Sequence, residues 1–369
     1  MQPVDEAQAP DGPLRDTLSA GERMSGVGES TGGAPSGGLS QWAELPLVFK
    51  GNARDYFRLW IVNLCLTLLT FGIFSAWAKV RRKRYFYSHT ELAGVPFEYL
   101  GAPIPILKGR IIGTVLLALW YAGTHFSLRL LFIVFAVFVA LTPWVMVRTA
   151  AFNARYSSYR NITFEFDGTY RGAAGALLVG LLLTAFTCGL GYCWAFTHVR
   201  RYFVEHTSYG GVRGRYTAKG GHLIGPYVVA FSSVFGVFSA LGYQAQRGHG
   251  AGLTPLLLVG YVVYGLGYAY WEARVGRMNW RHTTLGPLRF DAKYRARDFI
   301  ALYFTNALAV LGSLALLVPW ASIRMYRYRL DRLTVTQDGD LAQFVGHPGQ
   351  AVRATGAEVM DLFDFELSL

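Results

Sequence analysis

Residues 49–84 read FKGNARDYFRLWIVNLCLTLLTFGIFSAWAKVRRKR. A polar start runs into an apolar core from Ile61 to Ala78, which ends in Trp77 and a burst of Lys and Arg. An apolar run closed by an aromatic and a basic stop is the pattern of a membrane helix meeting the water interface. Within it Phe57, Trp60, Leu64, Leu68 and Phe71 fall three to four residues apart and form one packed stripe.

The pattern returns twice. Phe49, Gly51, Arg54 and Asp55 lead to Trp77, Arg81 and Tyr85. Phe166, Gly168, Arg171 and Gly172 lead to Trp194, His198 and Tyr202. Phe290, Ala292, Arg297 and Asp298 lead to Trp320, Arg324 and Tyr328. Each closing trio sits at i, i+4 and i+8, on one helical face. RRKRYFYSHTELAG at Arg81–Gly94 parallels HVRRYFVEHTSYGG at His198–Gly211. Between the blocks lie two pairs of apolar runs, which close in Trp144 with Arg148 and in Trp271 with Arg274. The repeat is a single run followed by a pair, with a period of about 120 residues, and the last copy stops after its single run.

Composition agrees. Of 369 residues 52% are hydrophobic and 16% charged, against about a quarter charged in soluble domains. The net charge of +12 sits beside apolar segments, so the positive-inside rule accounts for it and nucleic acid is not an expected partner. Cys65, Cys188 and Cys193 lie in apolar runs without a CxxC pair, and read as small buried hydrophobes.

The expected fold is an all-α polytopic membrane protein with internal repeats and small cytoplasmic β segments. Residues 1–44, rich in Gly, Ser and Pro, are expected to form a disordered tail, with the first apolar helix as insertion signal. The membrane domain spans 45–335, with blocks at about 49–165, 166–289 and 290–335. Residues 336–369 form a C-terminal tail, entered through a TVTQDGDL hairpin. Short strands are expected at Leu45–Phe49, near Phe97, at Ile162–Phe166 and from Thr283 to Phe290. Gly210–Gly221 reads as a Gly-rich basic loop.

Topology is in conflict. Seven full crossings suit the segment lengths, with inverted blocks if the repeats carry odd numbers of crossings. They also place strongly basic loops on both sides. If the three single runs break and return, at Gly72, at Gly189 or Gly191, and at Gly312, every basic loop falls on one side. Re-entrant backbone must then be buried in protein or line a cavity.

Five tryptophans, Trp77, Trp144, Trp194, Trp271 and Trp320, form an aromatic belt or line a shared vestibule. Arg81, Arg148, His198, Arg274 and Arg324 follow them as a basic face that anchors the chain or holds an anionic ligand. Lys108 and Arg110 read as snorkelling extensions of the second run. Asn63, Asn306, Thr184 and Thr187 are the intramembrane polar residues, suited to gluing helices or lining a path. His89, His206 and His282 each precede Thr and read as caps at helix-to-strand junctions. No cofactor or metal constellation accompanies them. No HExxH, GxSxG, Walker or paired-carboxylate pattern occurs, so an enzyme is disfavoured.

The string from Gly72 to Arg81, GIFSAWAKVR, followed by Arg84-Tyr85-Phe86 and Thr90, resembles the signature of the YjgN (DUF898) family. The resemblance runs from about Phe49 to Val335. It departs in the middle block, where His198 replaces Arg. It implies a bacterial inner-membrane protein, multi-pass, and carries no catalytic or binding residues to transfer. A transporter or channel-like protein for a small or anionic solute is one expectation. A scaffold or anionic-lipid-binding protein is the other. Expected partners are membrane lipids with anionic headgroups and either further copies of the chain, as a homo-oligomer, or an unknown membrane partner.

Overall fold

The computed structural model describes residues 43–126, 128–246 and 250–338. The expected tail at 1–44 lies outside them except for Ala43 and Glu44, as does most of 336–369, including the return strand of the TVTQDGDL hairpin.

The single runs are not single helices. Residues 49–84 form α1 (Ala53–Leu69) and α2 (Ser75–Ser88), the middle block α5 (Tyr170–Phe186) and α6 (Tyr192–Glu205), and the last block α9 (Ala296–Gly312) and α10 (Val318–Asp331). Each is a 17-residue helix, a tight turn, and a 14-residue helix. The paired runs are longer: α3 (Pro103–Phe126), α4 (Leu128–Tyr156), α7 (Gly221–Gln246) and α8 (Gly250–Arg281).

Every pair begins and ends on one sheet. The strands are β1 (Ala43–Leu45), β2 (Leu47–Phe49), β3 (Thr90–Leu92), β4 (Val95–Tyr99), β5 (Ser157–Tyr159), β6 (Ile162–Phe166), β7 (Thr207–Tyr209), β8 (Val212–Tyr216), β9 (Thr283–Leu285), β10 (Leu288–Ala292) and β11 (Leu333–Gln337). Their order is β1-β11-β10-β9-β8-β7-β6-β5-β4-β3-β2, antiparallel throughout. The two ends of that order, β1 and β2, are consecutive halves of one segment bent at Pro46. The sheet therefore closes on itself as a nearly complete barrel. The Pro46 carbonyl accepts from Ala93 N–H at 2.9 Å, tying the bend to the β3–β4 turn.

This corrects the all-α expectation with minor β segments. Each strand is three to five residues long, too short to hold a partner alone. The ring gives every strand but β1 and β2 two neighbours, and those two, joined at Pro46, are its only sheet edges among the described residues. What reads as a Gly-rich loop at Gly210–Gly221 holds the turn between β7 and β8 and all of β8. Their turn is Gly210-Gly211, both with positive φ.

All eleven strands send side chains into one apolar cluster, with Leu92, Tyr159, Tyr209, Leu288 and Val335 buried. The ring is filled, not hollow. Two tyrosines in it solve the polar problem of burial: Tyr159 Oη donates to Leu92 O and Tyr209 Oη to Tyr159 O, both at 2.8 Å. Burial, then the neighbouring Tyr159, pushes the Tyr209 phenol up to about 12.

Five equivalent hydrogen bonds show that each helix pair returns to where it began. They run from Lys50, Leu100, Asp167, Thr217 and Lys293 N–H to the carbonyls of His89, Tyr156, His206, His282 and Arg332, at 2.8–3.1 Å. The underlying repeat is thus a helix pair plus a β-hairpin, met five times, with the fifth hairpin completed by the N-terminal strand. Neighbouring helices pack in chain order, and α10 returns against α1.

The pairs reach different depths. From Trp77 to the start of α2 is about 3 Å of helix, whereas Trp144 to the start of α4 is about 24 Å and Trp271 to the start of α8 about 32 Å. Only the long pairs match a hydrocarbon core of about 30 Å. Among the described residues Pro103–His125, Arg129–Tyr156 and Gly221–Gln244 are long and apolar enough to cross. In α4, Phe132, Ile133, Phe135, Val137, Phe138 and Val139 are all exposed. A helix apolar nearly all round is one that lipid surrounds.

Candidate functional site

The turns of the short pairs share one construction. Phe71-Gly72, Cys188-Gly189 and Leu314-Ala315 are left-handed, with φ of 50° and 90°, 51° and 96°, and 51° and 71°. Gly72, Gly189 and Ala315 N–H each reach back five residues to a carbonyl at 2.8 Å. A hydroxyl completes each turn. Thr70 Oγ1 donates to Leu66 O and accepts from Phe74 N–H; Thr187 does the same with Leu183 and Gly191, and Ser313 with Val310 and Leu317. The tip is apolar, with Phe71 97% and Leu314 89% exposed, and its turn satisfies its own backbone groups, as contact with lipid would require. Gly191 caps α6 and Gly312 ends α9; the third break falls at Ala315 instead.

Below the tips a polar bridge crosses two of the three pairs. Arg81 Nη1 donates to Asn63 Oδ1 at 3.3 Å, and Arg324 Nη1 to Asn306 Oδ1 at 3.0 Å, each pair 18 residues apart. Asn63 and Asn306 are buried. In the middle pair Gly180 and His198 hold these positions. There a Cβ on Gly180 would lie 3.0 Å from Ala195 Cβ, so close packing replaces the bridge. Thr184 bonds its own helix, to Gly180 O.

At the base sits the tyrosine of each trio. Tyr85 Oη donates to Asn52 O and accepts from Asn52 N–H, both at 2.8 Å, and Tyr202 treats Thr169 likewise at 2.8 and 2.7 Å. Tyr328 accepts more loosely from Arg295 N–H at 3.4 Å and donates to Asp298 at 3.2 Å. One phenol thus clamps the start of each first helix to the end of its second. The histidines cap helix-to-strand junctions, two at the ends of short pairs and one at the end of α8: Nδ1 of His89, His206 and His282 lies 2.7–3.0 Å from the carbonyl four residues back, with the following Thr doing the same.

Sequence reasoning missed two features. Arg84, Arg201 and Arg327, one residue before the tyrosine or at its equivalent, donate to the carbonyls of Gly101, Ala218 and Gly51 and so tie each short pair to the next helix pair. Their repeated position was visible beside the trio. Glu272 on α8 joins Arg329 on α10 and Tyr303 on α9. It has no counterpart in the other long pair and gave no periodic signal.

The tryptophans are spread over separate clusters. Trp77 packs with Ile106 and Phe152, Trp271 with Leu223 and Met278, and Trp194 lies against Gly220. Trp320 stacks under Arg324 at 5.2 Å and Trp144 under Arg148 at 5.9 Å. Arg274 lies over Tyr270. Cys193 is buried, whereas Cys65 on α1 and Cys188 in the turn between α5 and α6 are exposed, which corrects the expectation that all three are buried.

Two clefts open beside these features. One, of about 290 Å³, lies along α1 and α2 and is lined by Asn63, Thr67, Ser75, Lys79 and Arg82, together with Arg110 from α3. The other, of about 420 Å³, lies between α9–α10 and the start of α1, with Trp320, Arg324, Arg327 and Asp331. Arg110 does not snorkel away from α3: it donates to Ser75 Oγ of α2.

The family model of a bacterial protein of unknown function, DUF898, matches residues 44–362. Over 131 residues the chain is 34% identical to the "Inner membrane protein YjgN" of Salmonella typhimurium, covering 34% of this chain and 32% of that one. Over 52 residues it is 42% identical to the Escherichia coli K12 protein of the same name, covering 14% and 13%. The matched stretches thus span a third or less of these relatives. No solved structure matches. A family match across most of the chain, relatives in the inner membrane and helices long enough to cross together place this chain: it is a multi-pass bacterial inner-membrane protein and belongs to the DUF898 family.

Proposed function

We propose that this protein is a membrane scaffold that gathers anionic lipid around a cytoplasmic β ring, rather than a conduit for solutes. The observation that carries this reading is the filled ring from which all five helix pairs start and to which they return. The basic face of Arg81, Arg148, His198, Arg274 and Arg324 then lies on the ring side of the membrane, and the positive-inside rule orients that side to the cytoplasm. Guanidinium groups beside tryptophan at the headgroup level suit phosphate. Among the described residues the tips of the short pairs and the outer faces of the long helices are apolar.

Re-entrant helix pairs also occur in carriers, and the buried Asn–Arg bridges favour that second reading. Proteoliposomes containing phosphatidylglycerol separate the two. The scaffold reading expects no solute flux above protein-free vesicles, and a shell of anionic lipid that shrinks as salt rises. Saturable, protein-dependent flux of a small anion would overturn it.

A further inference from the structure

We propose that the cleft along α1, α2 and α3 is a discrete binding site for one phosphate group, carried by an anionic phospholipid or by a soluble phosphate. The inference deepens the lipid-binding reading and rests on it for the lipid source. Three cations converge there, Lys79 and Arg82 from α2 and Arg110 from α3. None of the lining residues is Asp or Glu, whereas the second cleft includes Asp331. Ser75 Oγ accepts from Arg110 and donates to Gly72 O, holding that guanidinium in the cleft, while Asn63 and Thr67 line it and Trp60, Leu59 and Leu64 form an apolar wall beside them. That combination fits a charged head with an apolar body. Arg110 lies within an apolar span and is half-buried. An arginine in such a place is costly, and placing it there marks a use. Two guanidinium forks and an ammonium suit the oxygens of a phosphate.

The middle repeat supplies an internal control. In the register that aligns the two repeats, Lys79, Arg82, Ser75 and Arg110 are matched by Phe196, Val199, Tyr192 and Tyr227. Tyr192 and Tyr227 stack at 5.6 Å, and Phe196 meets Trp271 at 6.4 Å. Aromatic rings there occupy the place that the first repeat leaves open and lines with cations. The same backbone therefore tolerates a filled site, and the cleft is a property of these side chains.

The test uses the full chain, purified in detergent, with phosphatidylglycerol added and bound molecules counted by native mass spectrometry. Wild type is expected to hold one molecule more tightly than the rest. Arg110→Gln and Lys79→Gln should each weaken that one by about tenfold, and Arg82→Gln by less because Arg82 is the more exposed. Arg110→Lys should restore part of the loss. Arg160→Gln, in the β5–β6 turn at the far end of the ring, should change nothing. Circular dichroism on each variant separates lost binding from lost folding, and Lys79→Gln serves where Arg110→Gln does not fold. Competition with inorganic phosphate assigns the source: displacement of the tight molecule marks a soluble phosphate, and retention marks the lipid. Unchanged occupancy in folded variants overturns the site. The looser, salt-sensitive lipids report on the basic face separately, so loss of that shell with the tight molecule intact would sink the broader reading alone.

Discussion

The short and long helix pairs share one base and part company above it. All five rise from the ring and return to it through the same backbone hydrogen bond. The short pairs turn after 17 residues, through two left-handed residues and a hydroxyl. The long pairs continue and hold together through small residues. A Cβ on Gly123 would lie 3.1 Å from the Leu131 backbone, and one on Gly267 would lie 2.8 Å from Ser233 Oγ. Apolar length alone does not decide whether a run crosses. What decides is where the second end is tied, and in the short pairs a tyrosine ties it back to the start.

The sharpest break of that comparison is sidedness. Single cysteines in the loops at 81–110 and 210–221 of a cysteine-free chain should be labelled from the same side of intact membranes, and one at Gln244 from the other. Labelling of the first two from opposite sides would turn the short pairs into crossings and end the comparison. Next comes the clamp. Tyr85→Phe and Tyr202→Phe each leave a backbone N–H and C=O without the phenol and should cost about 1–3 kcal/mol in unfolding of the purified chain. Tyr328→Phe, with its longer bonds, should cost less. Equal costs would show that the clamp is not graded by its geometry.

Gly267→Leu tests the long pairs in the same way. Forcing a side chain between α7 and α8 should cost about 1–3 kcal/mol, while the short pairs keep their protection from hydrogen exchange. The smallest effect is at the tips. Ala315 holds φ of 71° where the other two turns use glycine, so Ala315→Gly should be neutral to stabilising, by up to about 1 kcal/mol. Gly72→Ala should destabilise by a similar amount. Opposite signs would show that lipid contact, not backbone strain, dominates at the turn.

Much of this could be read in the chain. The trio of Trp, base and Tyr marked three equivalent places, and charge counting already favoured returning runs over the crossings that length suggested. Gly72 and Gly189 stood out because glycine is the common left-handed residue. Ala315 did not, since nothing in its type betrays a positive φ, and the eye settled on Gly312. The ring was the largest gap. Strands such as Thr90–Leu92 and Ser157–Tyr159 carry three residues of pattern each, too few for alternation to register. Their pairing partners stand on the far side of helix pairs, and only closure makes them strong. The cationic cleft was hidden for a related reason: Lys79 and Arg82 read as a stop signal, and Arg110, far along the chain, as a snorkelling end.

The bent segment Ala43–Phe49 sets a clock on assembly. Its two halves precede every other strand of the ring in the chain, yet β1 pairs with β11, the last of those strands to be made. Helix pairs can enter the bilayer one after another, but the ring keeps an open seam until Val335 is synthesised. A chain stalled or cut between β10 and β11 leaves β10 without its outer neighbour and β1 without any, whereas the finished ring leaves only the outer edges of β1 and β2, which the bend at Pro46 joins. Joining the first strand to the last thus works as a completion signal: a finished copy hides its seam, and an unfinished one displays it to proteases and chaperones.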